Sequence, residues 1–162
     1  MDLADIEIST LQGERTTFGE LQDGRTVLVV NVASRCGLAR QYEQLERLQR
    51  SYGPGRFSVV GIPSNQFLQE FWHEDAIAEY CSNTWGVTFP LTEKVRLNGY
   101  RAHPLYQKLT QVPDSRGKGG RVAWNFEKFL ISPRGQVNRF RSRTQPEAPE
   151  VISAIEEWLP VD

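Results

Sequence analysis

Cysteine and histidine are scarce in this chain, with two of each among 162 residues. Two cysteines do not make a disulfide scaffold, and a chain of this length buries an ordinary core without one. In a reducing compartment such a pair is more often catalytic than structural. The two histidines leave little for zinc: Cys36, Cys81, His73 and His103 would all have to converge, and no paired CxxC or HxxxH spacing is present. Excess charge of one sign is also lacking. With 19 basic and 20 acidic residues the net charge is −1, which offers no global attraction to nucleic acid or to anionic membrane. No apolar run approaches the roughly eighteen residues of a membrane-spanning helix. The opening MDLADIEIST carries acidic residues where an export signal needs basic ones, so the cytoplasm is the expected compartment. Without repeats or low-complexity tails, one domain over residues 1–162 is expected.

What the chain does have is an alternation of buried strands and amphipathic helices. Thr26 to Ala33 is apolar on both faces, the pattern of a central strand covered on both sides. Leu38, Tyr42, Leu45, Leu48 and Tyr52 draw one helical stripe, ended by Gly53, Pro54 and Gly55. Phe57 to Pro63 is a second buried strand, completing a strand, helix, strand unit with parallel strands. Glu74 to Thr84 predicts a helix with Ile77 and Tyr80 inward and Cys81 late in it. A shorter helix is expected over Pro104 to Thr110, then a flexible loop from Pro113 to Gly120. Phe129 to Ser132 and Gln136 to Phe140 read as a hairpin across Pro133–Gly135. Ile152, Ile155 and Leu159 give a closing helix after Pro149. Ahead of all this, Glu14 to Gly24 reads as a turn-rich lead-in. This is an α/β layered sheet.

Cys36 falls just after the first buried strand and just before the first helical stripe. A helix start offers unpaired N–H groups and the positive end of the helix dipole, both of which favour a thiolate. The thiolate is the nucleophile and the species that peroxides oxidise. The carboxyl end of a strand is also where α/β sheets place their sites. Position alone leaves an inert buried thiol equally open. A thioredoxin-type CxxC is excluded, because Cys36-Gly37-Leu38-Ala39 has alanine at the second sulfur's place. A cysteine hydrolase would need His103 as base, and one histidine before a proline reads more readily as a cap or surface residue. Cys81, beside Ile77 and Tyr80 in the helical period, reads by itself as a core residue. Arg139, Arg141 and Arg143 alternate on the last strand, the pattern of a solvated edge rather than of a docking patch for an acidic partner.

NVASRCGL with QYEQL behind it, GIPSNQF with a following QE, WGVTFPL, VRLNG, HPLY and WNFEKFLIS together resemble the glutathione peroxidase family, in order and across nearly the whole chain. The resemblance implies a thioredoxin-like α/β fold, a central mixed sheet flanked by helices. It also implies reduction of hydrogen peroxide and organic hydroperoxides. By the same resemblance the family's peroxidatic cysteine falls on Cys36, its glutamine on Gln66, and its tryptophan and asparagine on Trp124 and Asn125. Amides and an indole N–H supply hydrogen bonds to a thiolate and to departing oxygen, which needs no histidine and no metal or organic cofactor.

Cys81 resembles the resolving cysteine of fungal and bacterial members that use thioredoxin, which implies a Cys36–Cys81 disulfide during turnover. Thioredoxin, or else glutathione, is the implied reductant. The link from His103–Tyr106 to Trp124–Phe126 is short, whereas tetrameric animal members carry an insertion there, so a monomer is implied. Ser64 stands where many members have a third cysteine. Phe71, Trp72 and His73 stand where the family usually has proline-glycine, a change that the sequence does not account for. A peroxide sensor relaying oxidation to a partner protein, and a non-catalytic binding module, are the competing readings.

Overall fold

In the computed structural model, which describes residues 1–68 and 70–161, a four-stranded sheet runs in the order β4-β3-β5-β6. Its strands are β3 (Thr26–Val32), β4 (Phe57–Pro63), β5 (Lys128–Ile131) and β6 (Val137–Phe140). β3 and β4 are parallel, with Val32 opposite Pro63. β5 is antiparallel to β3, with Lys128 opposite Val30, and β6 is antiparallel to β5. The sheet is therefore mixed. A consequence for function is that the carboxyl ends of β3 and β4 and the amino end of β5 share one edge.

Apolar residues on both faces of β3 and β4 require two covering layers. Leu28, Val30, Val32 and Val59 pack with α2 (Gln41–Tyr52) and α5 (Pro149–Trp158) through Tyr42, Leu45, Leu48, Val151 and Ile155. Val27, Val29, Val60 and Ile62 pack with α1 (Phe18–Gln22) and α4 (Pro104–Leu109) through Phe18, Leu105, Tyr106 and Leu109. The central strands, the hairpin and α4 lie within a residue or two of their predicted bounds. α5 buries Val151, Ala154 and Ile155; of the predicted stripe, Ile152 and Leu159 are only half-buried.

Several segments differ from expectation. The lead-in contains structure of its own: β1 (Glu7–Ser9) pairs with β2 (Arg15–Thr17), and Thr17 caps α1 by accepting the Glu20 N–H. The helix expected over residues 74–84 is α3 (Glu74–Tyr80) followed by a π-helical turn, Cys81–Trp85, closed by Gly86 in the left-handed conformation. The loop after α4 is pinned rather than flexible. Asp114 accepts the Arg116 and Lys118 N–H groups and pairs with Arg141, contacts that hold its carboxyl down at about 2.

The reading of Arg139, Arg141 and Arg143 as a solvated edge is corrected for the first two. Arg139 is buried against Glu127, and its guanidinium also donates to the carbonyls of Thr110, Val112, Gly120 and Arg121. Arg141 bridges Asp114 and Glu127. β6 ends at Phe140, so Arg143 lies beyond the strand and is exposed. Alternation along a strand tells which residues share a face, but not whether a neighbouring loop covers that face.

Candidate active site

Three segments converge on the shared sheet edge. The first leaves β3 at Val32. The second leaves β4 at Pro63 and is tied back by the Ser64 N–H on the Val32 carbonyl, 3.3 Å. The third enters β5 through Trp124–Glu127 and is clamped by Asn31. The Asn31 carbonyl accepts the Phe126 N–H at 2.7 Å, its Oδ1 accepts the Glu127 N–H, and its Nδ2 donates to the Trp124 carbonyl. These bonds hold Phe126 at φ 66, a left-handed conformation that costs a bulky side chain about 1–2 kcal/mol. Asn31 is wholly buried, and its role was invisible in a run that reads simply as strand.

Cys36 lies in this first segment, 6% exposed and free of any disulfide. Its place differs from the expected helix start. Residues 36–43 wind through successive i→i+3 turns, with Ala39 donating to the Cys36 carbonyl and Tyr42 to that of Ala39, and α2 begins only at Gln41. What reaches the sulfur is the Leu38 N–H, 3.4 Å from Sγ. A backbone N–H aimed at sulfur favours the thiolate as a helix start would, on a more local scale.

Gln66 lies just after β4, and its Oε1 accepts the N–H groups of Leu97 (2.7 Å) and Asn98 (3.2 Å). That engagement fixes the carboxamide and leaves its NH₂ end as the donor end. Phe67 packs on Trp124 with ring centroids 5.2 Å apart, joining the second segment to the third. Trp124 is 38% exposed while Asn125 is fully buried. The four residues expected from resemblance therefore come from three segments that meet at one edge of the sheet.

Cys81 lies at the junction of α3 and the π-helical turn, 1% exposed and also a free thiol. It belongs to the same apolar cluster as Cys36, between the sheet and α2. Burial pushes its thiol up to about 11, opposed by the Tyr42 hydroxyl and reinforced by the Glu70 carboxylate. Glu70 is itself raised by burial, and its Oε1 accepts the N–H of Ser34, two residues before Cys36, and that of Phe71. Gln69, the other member of the QE pair, lies outside the described residues. Tyr42 packs edge-on to Phe126 at 5.3 Å and stacks on Trp85 at 6.4 Å, so one ring touches both the Trp124–Phe126 loop and the turn that carries Cys81.

Tyr42, Glu70 and Asn31 are site neighbours that the sequence reading missed, since each reads there as core or loop. His103 is the N-cap of α4, its Nδ1 accepting the Leu105 N–H, so the histidine is committed to a cap. Among the described residues, no group of three or more His, Cys, Asp or Glu side chains is placed to hold a metal. No helix of the described chain is long and apolar enough to cross a membrane.

Lys128 adds an unusual support. Its buried ammonium donates to the carbonyls of Phe126 (2.6 Å) and Ser142 (3.2 Å), and burial lowers it from its usual 10.5 to about 7. Between those values the unfolded chain holds a proton that the folded chain has released, so stability rises as pH increases from about 7 toward 10. Lys128→Met is expected to remove most of that rise, read as the denaturant midpoint at neutral and at alkaline pH. An unchanged pH dependence would show that the buried amine is not its source.

The glutathione peroxidase family model matches residues 3–110. The chain is 41% identical over 169 aligned residues to the thioredoxin/glutathione peroxidase BtuE of Escherichia coli K12, covering 91% of this chain and 92% of that protein. The crystal structure of Trgpx in apo form superposes with a TM-score of 0.72 at 36% identity, covering 99% of each chain. A thioredoxin-family thiol:disulfide interchange protein from Chlorobium tepidum superposes at 0.59 over 97% of this chain and 94% of that one; at 18% identity this shows the thioredoxin fold alone. With the family model matching from residue 3 to residue 110 and a relative this similar over nearly its whole length, the chain belongs to the glutathione peroxidase family.

Proposed function

We propose that this peroxidase reduces hydrogen peroxide and organic hydroperoxides through Cys36, with Cys81 as the resolving thiol and thioredoxin as the reductant. The observation that carries the reading is the meeting of Cys36, Gln66 and Trp124–Asn125 at the edge where three segments leave or enter the sheet. The Cys36 thiolate attacks one peroxide oxygen and the O–O bond breaks. The other oxygen departs with a proton as water or alcohol, and sulfur is left as the sulfenic acid. Amide and indole N–H donors at the edge stabilise the thiolate and the departing oxygen. The Cys81 sulfur then displaces hydroxide from the Cys36 sulfur, its own proton completing a water molecule and a disulfide forming. Thioredoxin returns both thiols by exchange, supplying two electrons.

Burial of Cys81 gives the second step a defined signature. A thiol held near 11 is protonated at neutral pH, so formation of the Cys36–Cys81 bridge is expected to accelerate as pH rises from about 7 to 9. Opening of the π-helical turn would release the thiol from burial and is the motion this step calls for. The test is reduced protein treated with one equivalent of peroxide, with bridges mapped by mass spectrometry. Cys81→Ser is expected to stop at the sulfenic acid and to lose thioredoxin-driven turnover; full-rate cycling by that variant would end the resolving role.

The relative's name carries both thioredoxin and glutathione, so the same steady-state assay run with each donor decides between them. Turnover with either also separates an enzyme from a peroxide sensor or a non-catalytic binding module. The short link between α4 and Trp124 supports a monomer, and sedimentation at working concentration tests it.

A further inference from the structure

Beside Gln66 a cavity of about 440 Å³ opens at the same sheet edge, walled by Ser64, Asn65, Trp72, Lys94, Val95 and Arg96. Two cations and no carboxylate line it, in a molecule whose net charge is only −1. Lys94 is held in place, its ammonium donating to the Phe71 and Trp72 carbonyls and lying 5.7 Å from the Trp72 ring centroid. Arg96 is exposed on the segment that follows the outer edge of β4, where the Val95 N–H donates to the Pro63 carbonyl. Trp72 is 72% exposed and Leu68 76%. Together with Trp124 they make three of the six large apolar side chains exposed among the described residues, and all three come from segments at this edge. An exposed apolar strip that runs up to two cations is unusual on a soluble surface and marks a binding site for something amphipathic.

We propose that this cavity is a substrate subsite for the far end of a long-chain hydroperoxide bearing a carboxylate. The carboxylate pairs with Arg96 and Lys94, and the aliphatic chain lies along Trp72 and toward Phe67 and Trp124. Its peroxide group is thereby delivered to the Gln66 side of the site. This gives a role to Trp72, which stands where the family usually has proline-glycine and for which the catalytic set has no use. The proposal rests on the peroxidase reading above and adds substrate discrimination to it. Arg96 and Lys94 bind substrate here and take no part in the chemical step.

The experiment isolates the oxidising half of the cycle. Reduced protein is mixed with a fatty acid hydroperoxide, its methyl ester or hydrogen peroxide with no reductant present, and loss of titratable thiol is followed in time. Arg96→Glu is expected to lower the acid-to-ester rate ratio by roughly tenfold, the scale of reversing one exposed ion pair. Trp72→Ala is expected to slow acid and ester alike relative to hydrogen peroxide. Both positions are exposed, so neither change threatens the fold. An unchanged acid-to-ester ratio in Arg96→Glu overturns the subsite while leaving the peroxidase reading intact. An effect seen only in glutathione-driven turnover assigns the cavity to the reductant and equally overturns it. No thiol loss with hydrogen peroxide in the unaltered protein means that the peroxidase reading itself has failed.

Discussion

Cys36→Ser is expected to lower peroxide consumption by at least roughly 10⁴-fold while leaving the melting temperature almost unchanged. A serine hydroxyl has no accessible anion near neutral pH, so the substitution removes the nucleophile outright. Its volume is close to that of cysteine, and the Leu38 N–H that now points at sulfur has an oxygen to donate to instead. The surrounding turns are held by backbone bonds from Ala39, Gln41 and Tyr42 that do not involve the side chain. The measurement is steady-state peroxide loss with thioredoxin and its reductase, paired with a thermal melt. Residual turnover above about 1% of the parent rate would remove Cys36 from the centre of the mechanism.

Arg139→Ala is expected to cost about 3–5 kcal/mol of stability, a large part of what a domain of this size possesses. The charge on Glu127 is buried and would lose its closest partner, keeping only Arg141 at 3.1 Å. Four backbone carbonyls between Thr110 and Arg121 would lose their donor in the same step. Lysine is not an adequate substitute, since one ammonium does not reproduce a planar fork that serves a carboxylate and several carbonyls at once. Removing both charges together, as Glu127→Gln with Arg139→Met, is expected to recover much of the loss. Glu127 lies between Phe126 and Lys128, so the single variant is also expected to loosen the Trp124–Asn125 loop and depress turnover. Denaturant midpoints for the three proteins decide the matter, and a single-variant loss below about 1 kcal/mol would contradict the buried pairing.

Strands that are apolar on both faces were readable residue by residue. Val27 to Val32 has no polar side to turn to water, so two covering layers follow from composition alone. The catalytic set was readable for a different reason, because NVASRCGL, SNQF and WNF are contiguous blocks whose resemblance does not depend on how they fold together. The surroundings of those blocks were not readable. Asn31 sits in a run of valines, and only the arrival of residues 124–127 beside it turns its side chain and carbonyl into a clamp. Arg139 alternates as an exposed strand residue would, until a loop from fourteen to thirty positions earlier closes over it.

The sequence by itself determined the strand and helix alternation, the cysteine that carries the chemistry, the absence of a local CxxC partner, and family membership through ordered blocks. Local pattern governs these, since backbone propensity, side-chain period and residue identity are all contiguous along the chain. Tertiary structure alone decided that Cys36 precedes its helix by a series of tight turns and that Cys81 is buried at a π-helical turn in the same apolar cluster. It alone also brought Trp72, Lys94 and Arg96 around one cavity beside Gln66. The physical reason is that burial, ion pairing and cavity shape depend on which distant segments meet, and that is settled by the packing of the sheet and its covering layers rather than by any one stretch of chain.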